Sequence, residues 1–366
     1  MDIDARVEAW ASLQLIPGLS SRALVALLKA FGGPAEVLAA SRASLKLSVG
    51  AELASAIAQG AAPDELSRSL AWLAEPGHAL LAWDDAAYPN ALLTIGDPPP
   101  VLHYAGKLDL LNRPALAIVG SRNATPQGRE NAEAFAAALS AAGLTIVSGL
   151  AQGIDAAAHR GGLAGAGNSV AVVGTGIDRI YPAANKSLAH RLAKDGGLLS
   201  QFTLGTPPLP GNFPRRNRVI SGLVRGVLVV EATPNSGSLI TARFAAEQGR
   251  EVFAIPGSIH SPFSKGCHRL IKDGAKLVET AQDVLEELGL APTPTGASAR
   301  ALTGSAPAAD GVAARVLAAL GHDPVDVDLL AERTGLDASA IAVALVELEL
   351  AGQVTPLPGG AFQRVM

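Results

Sequence analysis

The chain has almost no cysteine: Cys267 is the single one in 366 residues. An internal disulfide framework is therefore excluded, and so is a cysteine-rich zinc site. No apolar run approaches the roughly 18–20 residues that a membrane helix needs. The first ten residues, MDIDARVEAW, are acidic and carry no signal-peptide pattern. There is no excess of cations either, with 29 Lys and Arg against 33 Asp and Glu and a formal net charge of -4. That balance argues against a protein that coats DNA through general basicity. It leaves room for a local basic groove, because the field in a groove is set by the charges that line it. Together these features predict a soluble cytoplasmic protein with no membrane partner.

What is present is enough material for more than one core. Hydrophobic residues make up 49% of a length that suggests two or three domains. The first sixty or so residues are rich in Ala and Leu at helical spacing. Within them, LQLIPGLSSRALVALLKAFGG holds a Pro-Gly turn and then an amphipathic helix ending at Gly32-Gly33. A tight turn of this kind can offer backbone N–H groups to a phosphate, or the helices can serve packing alone. Residues 76–112 are rich in Pro and short apolar runs and predict an irregular lead-in with one edge strand.

From 113 to about 289 the pattern alternates. ALAIVG, LTIVSG, SVAVVG, GLLSQF, GVLVVEA and EVFAIPG are candidate strands. Helical stretches of roughly 12–18 residues separate most of them. Continuous apolar strands alternating with helices predict an α/β fold, an extended Rossmann-like parallel sheet covered on both faces. Residues 290–310, rich in Pro, Thr, Ser, Gly and Ala, predict a flexible linker. The last segment, 311–366, predicts three helices and a hairpin-like end, the plan of a winged helix. Its third helix, ASAIAVALVELEL, has no cation and carries Glu347 and Glu349. A helix that reads DNA offers Arg, Lys, Asn or Gln, so packing or protein contact fits this one better. The expected organisation is a helical domain at 1–70, a core at 71–289, the linker, and a winged helix at 311–366.

Ligands of an open parallel sheet bind beyond the carboxyl ends of its strands. The loops there are Gly120-Ser121-Arg122, Ser148-Gly149 followed by LAQGID, GTGIDRIYP, and TPNSGSLITA. Each offers small residues, hydroxyls or N–H groups at a helix start, so together they predict an anion site. Arg122 adds a fork of donors, and Ser236, Gly237, Ser238 and Thr241 make a second cradle. No G-x-G-x-x-G follows the first strand and no P-loop lysine appears, which disfavours NAD or ATP. Asp155, His159 and Glu231 lie near this edge. Asp155 reads as a cap or loop anchor, and His159 as a surface or packing residue. No nucleophile–base pair and no metal spacing is apparent. Cys267 and His268 are adjacent, so their side chains point apart.

One stretch concentrates charge. GNFPRRNRVISGL, residues 211–223, places Arg215, Arg216 and Arg218 just after Phe213. A helix starting at Pro214 would put these cations at its N-terminal turn, the unfavourable end for them in the helix dipole. A bound anion there would offset that penalty. A cationic groove with one aromatic is the arrangement that holds single-stranded nucleic acid without sequence preference.

The motifs IVGSRNATPQG, TIVSGLAQGIDAAAHRGGL, AVVGTGIDRIYPAANKSL, FPRRNRVISGL, VVEATPNSGSLITARFAAEQGREVFAIPG and GCHRLIKDGA stand in one order between about 115 and 278. In this the chain resembles the DprA/Smf family of bacterial DNA-processing proteins of natural transformation. The resemblance implies a non-catalytic, cofactor-free protein that binds single-stranded DNA through its Rossmann core. It implies loading of the recombinase RecA, also where single-strand-binding protein is present, and a homodimer formed through the core. Helical N-terminal domains of the SAM or helix-hairpin-helix type and C-terminal winged helices also occur in the family. Ser121 and Arg122 match its Gly-Ser-Arg turn, Gly149 and Asp155 its SGxAxGID loop, and Phe213, Arg216, Asn217 and Arg218 its FPxRNR loop. Ser236, Gly237, Ser238 and Thr241 match SGSLxTA, and Lys186 lies in the segment after YPxxN. The chain departs from the family before FP: Pro210-Gly211-Asn212 stand where several relatives carry a lysine and an aromatic, with Arg215 as a substitute cation. His268 stands where Asn is common. Two other readings remain open, a Rossmann-type nucleotide hydrolase or carrier and a protein-interaction scaffold.

Overall fold

The computed structural model describes residues 4–290, 311–321, 324–357 and 359–365. The expected linker therefore lies outside the described residues apart from Leu290. Six helices open the chain: α1 (Ala5–Gln14), α2 (Ser21–Phe31), α3 (Pro34–Ala39), α4 (Arg42–Val49), α5 (Ala51–Gln59) and α6 (Pro63–Leu73). Ser20 and Ser41 cap α2 and α4 with their hydroxyls. Trp10, Leu13, Leu27, Val37, Leu45 and Ile57 are buried in one cluster with Leu80, Ala82 and Val101. The helical unit thus packs its core directly onto the edge of the sheet that follows. Arg6 adds an ion pair to Asp84 at 2.5 Å.

The lead-in supplies two strands rather than one, β1 (His78–Ala82) and β2 (Val101–Gly106). Five of the six β2 residues are buried, His103 among them, and that burial gives the strand a place inside the sheet. Then come β3 (Ala115–Val119), α7 (Pro126–Ala141), β4 (Thr145–Ser148), α8 (Ile154–Gly162), β5 (Ser169–Val172), α9 (Lys186–Asp195), β6 (Gly197–Ser200), α10 (Asn212–Gly222), β7 (Gly226–Val229), α11 (Ser238–Glu247), β8 (Glu251–Ala254), α12 (Lys265–Lys272), β9 (Lys276–Leu277) and α13 (Ala281–Glu287). The nine strands run in the order β1-β2-β6-β5-β4-β3-β7-β8-β9. Every pair from β6 to β9 is parallel, and β1 and β2 are antiparallel to their neighbours. All six strands expected from the alternating pattern are present.

The two central strands β3 and β7 carry no polar side chain because both faces are covered. In β3, Leu116 and Ile118 enter the cluster under α7 and α8, while Ala117 and Val119 enter the one on the opposite face. In β7, Leu228 and Val229 divide in the same way. β3 has its successor β4 on one side and β7 on the other. The chain order reverses there, which opens a crevice beyond the carboxyl ends of these strands.

The C-terminal segment forms α14 (Val312–Leu320), β10 (Val325–Asp326), α15 (Val327–Thr334), α16 (Ala338–Leu350), β11 (Val354–Pro356) and β12 (Ala361–Arg364). Three helices and a sheet in the order β10-β12-β11 make the expected winged helix. Val316, Leu320, Leu330, Ile341, Leu345 and Leu348 form its core.

Candidate nucleic-acid interface

The crevice holds a cavity of about 720 Å³. Ser121, Arg122, Asp155, Phe213, Arg216, Asn217, Ser236, Gly237, Ser238 and Thr241 all line it. A smaller cavity beside it is lined by Gly149, Arg122, Phe213 and Arg216. Residues predicted from four separate loops therefore meet at one place. Three do not line either cavity. Lys186 is exposed at the start of α9. The Arg215 guanidinium lies 5.3 Å from the centroid of the Phe202 ring. Arg218 turns away to bind Gln201 Oε1 at 2.8 Å and to pair with Asp97 at 3.5 Å, tying α10 to the lead-in.

Each wall of the site has a local cause. The Ser121–Arg122 loop is held from β7: Ser121 N–H donates to the Glu231 carbonyl at 2.8 Å. The Glu231 carboxylate accepts from Thr125 N–H at 3.0 Å and from its hydroxyl at 2.6 Å. Thr125 in turn caps α7, accepting from Gly128 N–H at 2.9 Å. Burial pushes Glu231 above the usual carboxylate range, with the Thr125 bonds acting the other way. The Ser148–Gly149 loop is held from α8. Asp155 accepts from Gly149 N–H at 3.1 Å and Ala151 N–H at 3.3 Å, the anchoring role its position predicted.

His159 is neither on the surface nor mere packing. It is fully buried, and Leu150, whose φ is 58°, donates its N–H to His159 Nε2 at 3.3 Å. The Nδ1 side lies 2.8 Å from Ser169 Oγ, which itself donates to the Ile146 carbonyl at 2.9 Å. With that hydroxyl proton committed, His159 donates from Nδ1 and accepts at Nε2, so it is neutral. Burial pushes its pKa down to about 3, and the nearby Arg216 cation acts in the same direction. The histidine holds a strained loop residue at the cavity wall. Asn185 adds a further tie, donating to the Leu150 carbonyl at 2.9 Å and the Ala151 carbonyl at 3.1 Å.

Arg216 is the unusual group. It is only 5% exposed, and its Nε is buried without a hydrogen-bond partner among the described residues. Helix α10 begins at Asn212, two residues earlier than expected, and buries Arg216 on the same face as Val219 and Ile220. Burial pushes its pKa down to about 10, against the pull of Asp155, while Arg122 adds repulsion. A Cβ on Gly149 would lie 1.4 Å from Arg216 Nη1, so only glycine allows the guanidinium to pass. Exposed Arg122 lies above, its guanidinium 5.5 Å from the Phe213 ring centroid. The opposite wall is the N-terminus of α11, which no side chain caps. Asn217 Nδ2 donates to the Gly237 carbonyl at 3.4 Å, joining α10 to this wall. Two cations and an uncapped helix N-terminus at one cavity are groups that an entering anion can pair with.

The aromatics differ from expectation. Phe213 is half-buried, with its ring against Gly174 on one side. Tyr181, which sequence reasoning did not single out, is 46% exposed, lines both cavities and stands 5.9 Å from Phe213 between ring centroids. Its signal was present in GTGIDRIYP, an aromatic in a loop at the ligand edge. The groups weighed for catalysis have other tasks. Cys267 is buried with its thiol pushed up to about 12 by burial, and His268 Nε2 lies 2.9 Å from the Gly257 carbonyl. Among the described residues, no three His, Cys, Asp or Glu gather as a metal site.

The family model for DNA recombination-mediator protein A matches residues 79–289. The chain belongs to the DprA/Smf family. The DprA winged helix domain matches residues 300–360. Protein Smf of Escherichia coli is 46% identical over 301 residues, 81% of this chain and 80% of that protein. The DNA processing protein DprA of Streptococcus pneumoniae is 52% identical over 203 residues, 56% of this chain and 72% of its own length. An X-ray structure of the S. pneumoniae protein superposes with a TM-score of 0.67 at 39% identity, covering 78% of this chain and 99% of that one. A Helicobacter pylori DNA processing protein A, solved to describe its single-stranded DNA binding mode, gives 0.53 at 29% identity, over 58% and 95% of the two chains. Family membership thus coincides with the loops that build the cavity, all of which fall within residues 79–289.

Proposed function

We propose that this chain binds single-stranded DNA without sequence preference and hands it to the recombinase RecA during natural transformation. The observation that carries the reading is the buried Arg216 beneath exposed Arg122, opposite the uncapped start of α11. A desolvated guanidinium with a free Nε gains most from an anion that enters and pairs with it. Phosphates of the strand occupy this cradle, and bases lie against Tyr181 and the exposed part of Phe213. The affinity comes from phosphate contacts and stacking, the means by which a strand is held without sequence preference. The H. pylori relative described by its single-stranded DNA binding mode supports the assignment. Dimerisation through the core, activity alongside single-strand-binding protein, and a cytoplasmic, non-catalytic role complete the reading, on the strength of the family resemblance.

The test is binding of a labelled oligothymidylate against a mononucleotide competitor. Strand binding that the mononucleotide fails to displace, even at large excess, supports the reading. Equal competition by the mononucleotide would favour a nucleotide carrier. RecA assembly on DNA coated with single-strand-binding protein, with and without this chain, tests the loading step. Pull-down of RecA by a chain that has lost DNA binding would favour the scaffold.

A further inference from the structure

Beyond the cavity, several exposed arginines on the outer helices have an acid beside them, while exposed Arg129, Lys265 and Lys272 have none among the described residues. Arg160 pairs with Glu133 at 2.9 Å, Arg243 with Glu247 at 3.5 Å and Arg269 with Asp273 at 3.6 Å. Lys276 pairs with Glu287 at 2.9 Å. Helix α9 is different. It buries Leu188, Ala189 and Leu192 and exposes Lys186, His190, Arg191 and Lys194. Among the described residues, Lys186, Arg191 and Lys194 have no ion-pair partner. Lys186, His190 and Lys194 are spaced four apart, so they form one row along the helix. Asp195 is the only acid in α9, at its last position.

The row begins at the site. Asn185, just before α9, is the residue bonded to the loop carbonyls of Leu150 and Ala151 at the cavity wall. Four residues before it, Tyr181 stands exposed on the rim, and Arg179, exposed two positions earlier, has no ion-pair partner among the described residues. Lys186 occupies the first turn of α9, where the helix dipole opposes a cation. The chain as a whole is acidic, so Lys186, Arg191 and Lys194, without acid partners among the described residues, are a local concentration of positive field.

Resting on the strand-binding reading above, we propose that a single strand leaves the cavity over Tyr181 and continues along the exposed face of α9, its phosphates following Lys186, Arg191 and Lys194. A ten-residue helix is about 15 Å long, so this track adds a few phosphate contacts to those in the cavity. Strand length then governs affinity: short strands fill the cavity alone and longer ones reach the track.

The test uses the full chain, with labelled oligothymidylates of about 4 and about 16 nucleotides, the range of single-strand site sizes, over a salt series. The variant is Arg191→Gln with Lys194→Gln, both exposed and remote from the cavity lining. The longer strand should lose about five- to tenfold in affinity, and its salt slope should fall by about 1.4, roughly 0.7 for each phosphate contact removed. The short strand should bind as before. Arg191→Lys with Lys194→Arg should restore wild-type behaviour. An unchanged affinity and slope for the longer strand would overturn the track, as would an equal loss for both lengths. Failure of the unmodified chain to bind either strand would overturn the cavity reading, and the track with it.

Discussion

Three arginines in one short segment have three different fates, and their surroundings decide each. Arg216 is buried at the cavity, Arg215 lies over Phe202, and Arg218 binds Gln201 and Asp97. The accumulation of charge was legible in the sequence. The division was not, because Asp97 and Gln201 come from distant parts of the chain. Arg122→Ala should weaken oligothymidylate and mixed-sequence strands by about the same factor and flatten the salt slope by roughly one contact. An unchanged slope in a salt titration would place Arg122 off the strand. Tyr181→Ala should cost about 1–3 kcal/mol if a base stacks on it, and Tyr181→Phe should retain most of the affinity. On a strand lacking bases, the alanine variant and the unmodified chain should bind alike. A loss that persists on the abasic strand would mean that Tyr181 only supports the loop.

Among elements, the loops set the site and buried polar groups set the loops. The sequence places Gly-Ser-Arg, SGLAQGID and NSGSLIT at strand ends, and periodicity alone assigns them to one edge of the sheet. It does not show that His159 holds Leu150 or that Glu231 holds Thr125, because those partners meet only through the tertiary fold. β2 is hidden for a similar reason: it follows the run Pro98-Pro99-Pro100 and gains its place by pairing with β6, nearly a hundred residues later. His159→Ala should leave Leu150 N–H without its acceptor and loosen residues 149–153. Hydrogen exchange should then speed up at those amides first, with a parallel loss of strand affinity. Uniform exchange across the core would show general destabilisation and no special hold on the loop. Gly149→Ala should displace Arg216 and lower both the melting temperature and strand binding. Retention of full binding would mean that Arg216 is not part of the anion site.

At the scale of the whole molecule, acid stability carries a mark of the buried histidines. His103 is pushed down to about 4 by burial and His159 to about 3. In the unfolded chain both take up a proton near 6.5. Their contribution is therefore full above about pH 6.5 and is lost as pH falls toward 4 and below, by at most about 1.4 kcal/mol per pH unit for each group. Asp155 and Glu231, raised by burial, act in the opposite sense, so the histidines show best by difference. His103→Phe should flatten the loss of denaturant stability between pH 6.5 and 4 relative to the unmodified chain. Parallel curves would mean that His103 is already protonated when folded.

The placement of the fold's layers was legible throughout the core, since strands covered on both faces announce themselves as continuous apolar runs. What joins the helical N-terminal unit to the sheet was not, because the Leu80-Ala82-Val101 face looks like any other short apolar segment until Trp10 and Leu13 lie on it. The cavity at the reversal of strand order is where the strand should bind. The most direct measurement is fluorescence anisotropy of a labelled oligothymidylate over a salt series, for the unmodified chain and for Arg122→Ala combined with Phe213→Ala. Tight binding that falls steeply with salt and collapses in the double variant is the predicted result. Binding that is weak in both, or equally tight in both, would contradict it.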